Sequence, residues 1–274
     1  MKNRTDLAVE SYESLTKTKL DGVIVEETDN VTTVRVTNQT GADTIGKPIG
    51  NYITLQVKSF TNDTDIFDGR LTEFADILSS ILPESANSVL VAGLGNKNIT
   101  ADALGPKTNL YILSTRHIFD DLKESSDFSN LFQVATISTG VLGETGIETV
   151  EIIKGVAQQI KPSCVIAVDA LAASSTDRLG TTIQFSDAGI SPGSGVGNHR
   201  SEISQATLGI PVISIGIPTV VSTSIISGNK NDTAFVTPRE IDRITEQGAK
   251  LIGMGINTCL QSTISPQDMY ALVG

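Results

Sequence analysis

The period of the apolar positions changes near residue 60. Before it, Gly22-Val-Ile-Val-Glu-Glu27 and Val31-Thr-Thr-Val-Arg-Val36 flank Thr28-Asp29-Asn30 and predict two strands. Tyr52-Ile-Thr-Leu-Gln-Val57 alternates, with Ile53, Leu55 and Val57 on one face, and predicts a half-buried strand. From Phe67 onward, Leu71, Phe74, Ile77, Leu78, Ile81 and Leu82 form one helical stripe that stops at Pro83. Strands are then expected at 88–93, 132–138, 164–169, 182–185 and 211–216. Helical segments are expected at 110–119, from the Thr145-Gly-Ile-Glu148 capping pattern to about Ile160, near 199–208 before Gly209, and from Thr237-Pro-Arg-Glu240 to about Asn257.

This alternation predicts an α/β fold: three layers, with a mainly parallel twisted sheet and helices on both faces. A strand-rich part (1–60) precedes an α/β core (61–274) within one domain of 274 residues. No apolar run approaches the roughly 18 residues of a membrane helix, and Met1-Lys-Asn-Arg-Thr-Asp6 lacks the apolar segment of a secretory signal. Two cysteines, Cys164 and Cys259, make no disulfide framework, so a cytoplasmic location is expected. Cys164, inside an apolar strand, reads as a small core residue. The net charge of −11, without a basic run, speaks against nucleic-acid binding.

Two stretches carry the candidate chemistry. Ser88-Val-Leu-Val-Ala-Gly-Leu-Gly-Asn96 leads to Asp102-Ala-Leu-Gly-Pro106, and Cys164-Val-Ile-Ala-Val-Asp169 leads to Ala170-Leu-Ala172. Each puts a carboxylate at, or shortly past, the carboxyl end of an apolar strand, where open α/β sheets gather ligands. Two such aspartates can share a proton, one activating water while the other donates. The structural alternative is that Asp102 caps a helix and Asp169 binds loop amides. Gly93-Leu-Gly95 lacks the third glycine of a dinucleotide fingerprint, Asn98 standing in its place. Pro192-Gly-Ser-Gly-Val-Gly-Asn198 is not a phosphate loop, but it could present backbone amides to an oxyanion or a substrate, or simply form a tight turn. Candidate substrate-binding or supporting residues are therefore Asn96, Gly193, Ser194, Gly195 and Asn198. Only His117 and His199 are present, so a His/Cys zinc site is not available at the usual spacing. His117 reads as a surface or hinge residue, and His199 flanks the second glycine loop. No metal or cofactor is expected.

The same motifs resemble the germination protease family of spore-forming bacteria. The resemblance rests on Arg4-Thr-Asp-Leu-Ala-Val-Glu10, Gly93-Leu-Gly-Asn96, Thr100-Ala-Asp-Ala-Leu-Gly-Pro-Lys107, Gly140-Val-Leu-Gly-Glu-Thr-Gly-Ile-Glu-Thr149 and Asp169-Ala-Leu-Ala172. It continues through Asp187-Ala-Gly-Ile-Ser-Pro-Gly-Ser-Gly-Val-Gly-Asn198, Gly216-Ile-Pro-Thr-Val-Val221 and Val236-Thr-Pro-Arg-Glu-Ile-Asp242. It implies a fold like that of hydrogenase maturation proteases and a metal-independent aspartic endopeptidase. It also implies a homotetramer, made as a zymogen, that degrades small acid-soluble spore proteins in the germinating spore. The family's two essential aspartates fall on Asp102 and Asp169. Three departures stand out. The Arg-Thr-Asp motif begins at residue 4, Thr139 replaces a proline, and Ser174 occupies the position of a family arginine just beyond the second aspartate.

Overall fold

The computed structural model describes residues 5–15, 20–61, 65–121, 131–197, 200–229, 232 and 234–273. The chain opens with a short helix, α1 (Ala8–Glu13), then the hairpin β1 (Val23–Glu27) and β2 (Val31–Val36). Next come α2 (Gln39–Ile45), capped by the Asn38 side chain, and β3 (Gly50–Gln56). α3 (Arg70–Ile81) and β4 (Ser88–Leu94) follow the predicted stripe and strand. Beyond them lie α4 (Leu104–Thr108), α5 (Arg116–Asp121), β5 (Gln133–Gly140), α6 (Leu142–Thr145), α7 (Thr149–Ile160) and β6 (Cys164–Ala173). The chain continues through β7 (Thr182–Ser186), α8 (Gln205–Leu208), β8 (Val212–Ser222), α9 (Thr223–Ser227), β9 (Phe235–Val236), α10 (Ile241–Leu260) and α11 (Pro266–Val273).

One nine-stranded sheet runs in the order β1-β2-β3-β7-β8-β6-β4-β5, with β9 on the end of β8. Its β8-β6-β4-β5 half is parallel, whereas β1, β2, β3 and β7 join antiparallel. The sheet is therefore mixed, and the strand-rich start continues it on the β7 side. Alternate residues of β6 feed different layers. Cys164, Ile166 and Val168 face a cluster built with α3 and α10. Val165 and Ala167 face a second cluster that includes Ile153 of α7, and Leu171 and Ala173 face a third, formed with α1, β2 and Tyr52. By the two-residue period of a strand, Asp169 faces the same side as Val165, Ala167, Leu171 and Ala173. It thus lies at the junction of the second and third clusters.

Several local expectations change. β3 is buried on both faces, because α1 lies over Tyr52 while Ile53 and Leu55 face α3. The start also holds two helices besides its strands. The expected helix at 110–119 is broken: 112–115 is neither helix nor strand, and α5 begins only at Arg116. α7 starts at Thr149 with a capping box formed by Glu148 and Glu151, because Thr145 closes the preceding turn at the left-handed Gly146. Of the helix near 199–208, only Gln205–Leu208 is helical among the described residues, ending at the expected Gly209. Thr237-Pro-Arg-Glu240 forms a turn, and α10 starts at Ile241. Among the described residues, no helix is long and apolar enough to cross a membrane.

Candidate active site

β6 does not end at Asp169. It continues four residues further, to Ala173. Asp169 nevertheless stands at an edge, because β6 pairs with β4 only up to Val168 while its pairing with β8 continues. The chain leaving β4 therefore has to pass over the exposed rim beside Asp169. It does so as a tight turn, Thr100–Asp102, leading into α4.

Glycines set the closeness of that turn. A Cβ on Gly93 would lie 2.3 Å from the Gly105 carbonyl oxygen, and one on Gly105 would lie 2.4 Å from main-chain atoms of Leu94 and Val168. Gly95 has φ of 102° and sits with its Cβ direction 2.0 Å from the Asp102 carbonyl oxygen. Backbone cannot yield as a flexible side chain can, so only glycine permits this approach. The Gly93-Leu-Gly95 motif therefore serves packing of the Asp102 turn, not a pyrophosphate. From the other side, Thr219 donates to the Ala101 carbonyl at 2.8 Å. Thr219 is the extra residue where the β6–β8 register slips, between the partners Pro218 and Val220.

Asp102 and Asp169 line one cleft of about 420 Å³. The Asn96 N–H donates to the Asp102 carboxylate at 2.7 Å, and the Ala170 N–H donates to Asp169 at 2.9 Å. Asp102 is half buried. Burial raises its carboxyl above the ordinary range, with Glu144 adding to this and the Asn96 N–H opposing it. Asp169 is buried, and its carboxyl is raised well above that range by desolvation, then by the charges of Asp102 and Asp6, against the Ala170 N–H. Glu148, Arg200, Leu142 and Ile99 also face the cleft. Among the described residues, no three His, Cys, Asp or Glu side chains gather as a metal site.

The sequence matches the germination protease family over residues 3–235. The chain belongs to the germination protease family. The germination protease of Clostridium perfringens (strain ATCC 13124) is 38% identical over 97% of this chain and 97% of its own length. That of Clostridium acetobutylicum is 39% identical, with 98% of each covered. The Bacillus cereus germination protease is 41% identical over 97% of this chain and 76% of its own. Among solved structures, the NiFe hydrogenase maturation protease HycI from Thermococcus kodakarensis is 18% identical. It covers 66% of this chain and 99% of its own, with a TM-score of 0.37.

Family membership makes this cleft the candidate peptidase site, and the sequence-predicted residues distribute around it unevenly. Asn96 and Gly193 line it. The Asn96 side chain is spent on a turn, accepting from the Asn98 N–H at 2.8 Å, so its support of Asp102 comes from the main chain. Ser194 turns away, donating to Asp6 at 2.7 Å, and Gly195 packs against that same carboxylate. Amides of Ser194, Val196 and Gly197 already donate within the loop. The loop thus offers fewer amides to an oxyanion than its composition suggests. Asn198 and His199 lie outside the described residues. His117 is exposed and Cys164 is fully buried, as read from the sequence. Ser174 is not among the described lining residues of the cleft; its N–H donates to Glu10 at 2.7 Å. Asp6, Glu148 and Thr219, which also line the cleft, are not read as site residues from the sequence. Asp6 lay inside the quoted Arg-Thr-Asp motif, the one signal that could have found it.

Proposed function

We propose that this protein is an aspartic-type endopeptidase in which Asp102 and Asp169 work on one water. The observation that carries this reading is the convergence of two carboxyls, both pushed above their ordinary range, on a single cleft. Asp102 is the less buried and holds an N–H donor that favours its charged form, so it is assigned the ionised role, taking a proton from water. Asp169, more deeply desolvated and flanked by two carboxylates, is assigned the protonated role and donates to the scissile amide. The family resemblance supplies the substrate class: small acid-soluble spore proteins, cut at germination.

The test replaces each aspartate by asparagine and follows cleavage of a purified spore protein. Each variant is expected to lose about 10²-fold or more. Full activity in both would sink the assignment. Activity is also expected to survive chelators. Loss on chelation, restored by a divalent cation, would favour a metal-assisted peptidase instead.

A further inference from the structure

Beyond Val168, β6 keeps only one neighbour in the sheet. Its pairing with β8 runs on to Ala173, while β4 has already turned away toward Asp102. Successive residues of a strand aim their main-chain groups to alternate sides. The Val165 N–H donates to the Pro211 carbonyl just ahead of β8, so the odd-numbered residues of β6 address β8. Ala170 and Ala172 therefore address the side that β4 vacates. Each carries only a methyl group, so no long side chain screens that edge. Four consecutive residues, Asp169 to Ala172, line the cleft together with Ile99, Leu142, Gly193 and Val196, which makes the edge of β6 a wall of the cleft. The edge already holds one extended segment. The Asp6 N–H donates to the Ala172 carbonyl at 2.9 Å, and the Ala172 N–H donates to the Asp6 carboxylate at 2.9 Å. Leu7, the next residue, is extended too, with φ of −80° and ψ of 125°. A chain in strand conformation thus fits against Ala172. The Ala170 N–H is instead taken by the Asp169 carboxylate at 2.9 Å, which brings that carboxyl round from the face of the sheet to its edge. A chain lying along the edge passes beside it.

We propose that the edge of β6 at Ala170–Ala172 is the main-chain docking rail of the peptidase: the substrate adds there as an extended strand, and the rail delivers its scissile amide to Asp169. The proposal rests on the two-aspartate reading above. Recognition of this kind is made by peptide groups, and pockets beside the strand add the choice of side chain. It selects polypeptide that is free to become extended. A segment committed to a helix or to the middle of a sheet has already spent the N–H and C=O groups that the rail needs. Asp6 and a substrate strand cannot hold Ala172 together, so the N-terminal segment has to leave this edge before substrate docks.

The test modifies the substrate rather than the fold. A peptide spanning one cleavage site of a spore protein is made as a series, each member with one main-chain N–H replaced by N-methyl. The kcat/KM of each is measured with protein that cleaves the unmodified peptide. Pairing of alternate residues predicts a loss of about 10-fold or more at one position, or at two positions separated by a single residue, with the adjoining positions tolerant. Equal tolerance at every position, or losses without alternation, overturns the rail. Ala172→Pro is the check on the protein side, because it removes a donor that faces the cleft and none that faces β8. Its KM is expected to rise about 10-fold with kcat within about 2-fold of the parent's. A parent-like KM in this variant overturns the rail as well; should the variant not fold, the N-methyl series decides alone. The two readings fail separately. Active Asp102→Asn and Asp169→Asn variants would sink the aspartate pair and leave the alternation untouched, whereas dead aspartate variants without alternation condemn the rail alone.

Discussion

Asp169 is buried among strand residues at 5% exposure with no cation on its carboxyl in the described contacts, and its position carries a stability cost. Its folded-state pKa is raised, so between the ordinary value and the raised one the native chain binds more protons than the unfolded chain. Stability therefore falls as pH rises through that window. Asp169→Asn removes the cost. Its melting temperature is expected to exceed the parent's by about 2–4 °C or more at pH 7, each kcal/mol counting that much in a chain of this size. The difference should shrink as pH falls toward the ordinary carboxyl range, where the parent is protonated in both states. Thermal melts of both proteins across that range check it; a difference that does not grow with pH contradicts it. In the proposed mechanism, the same burial that costs stability also favours the protonated form that the acid role requires.

At the scale of elements, apolar period located most of the strands and the α3 stripe, but missed how side chains redirect backbone. The stretch 110–119 has mixed periodicity and was expected to be helical. Instead, buried Asn257 of α10 accepts from the Leu113 N–H at 3.0 Å and donates to the Tyr111 carbonyl at 2.7 Å. Gln261 does the same for both main-chain groups of Phe132, each at 2.9 Å, and Thr115 bridges Phe132 and Val134. These partners lie over a hundred residues away, or behind a loop, so no local pattern announces them. Asp102 was legible for the opposite reason: its glycines and apolar strand are adjacent in sequence. Asp6 was legible only as a motif, since its contacts span about 166 positions to Ala172. Asn257→Ala should strand two buried main-chain groups and cost about 2–4 kcal/mol, with denaturant unfolding as the measurement. A change below about 1 kcal/mol would mean that water replaces the side chain at little cost.

At the scale of the molecule, the sheet joins two halves of different character, and the N-terminal segment packs across both beside the candidate cleft. Leu7, Ala8 and Val9 are buried at 0–2% exposure in the cluster that includes Val34 and Val36 of β2, Ile45 of α2, Tyr52 of β3, and Leu171 and Ala173 of β6. That cluster binds the antiparallel half to the far end of β6, at the two residues that flank Ala172. Loosening it should therefore reach the chemistry, whereas equal damage elsewhere should not. Leu7→Ala and Leu78→Ala delete the same atoms from fully buried leucines, the second in α3 within the cluster on the opposite face of the sheet. Each is expected to lose about 2–5 kcal/mol, or about 5–15 °C in melting temperature. Well below both transitions, Leu78→Ala should keep its kcat/KM, while Leu7→Ala should lose about 10-fold as the end of β6 beyond Asp169 loosens. Equal specific activities in two folded variants would show that the N-terminal segment stabilises the sheet without shaping the site.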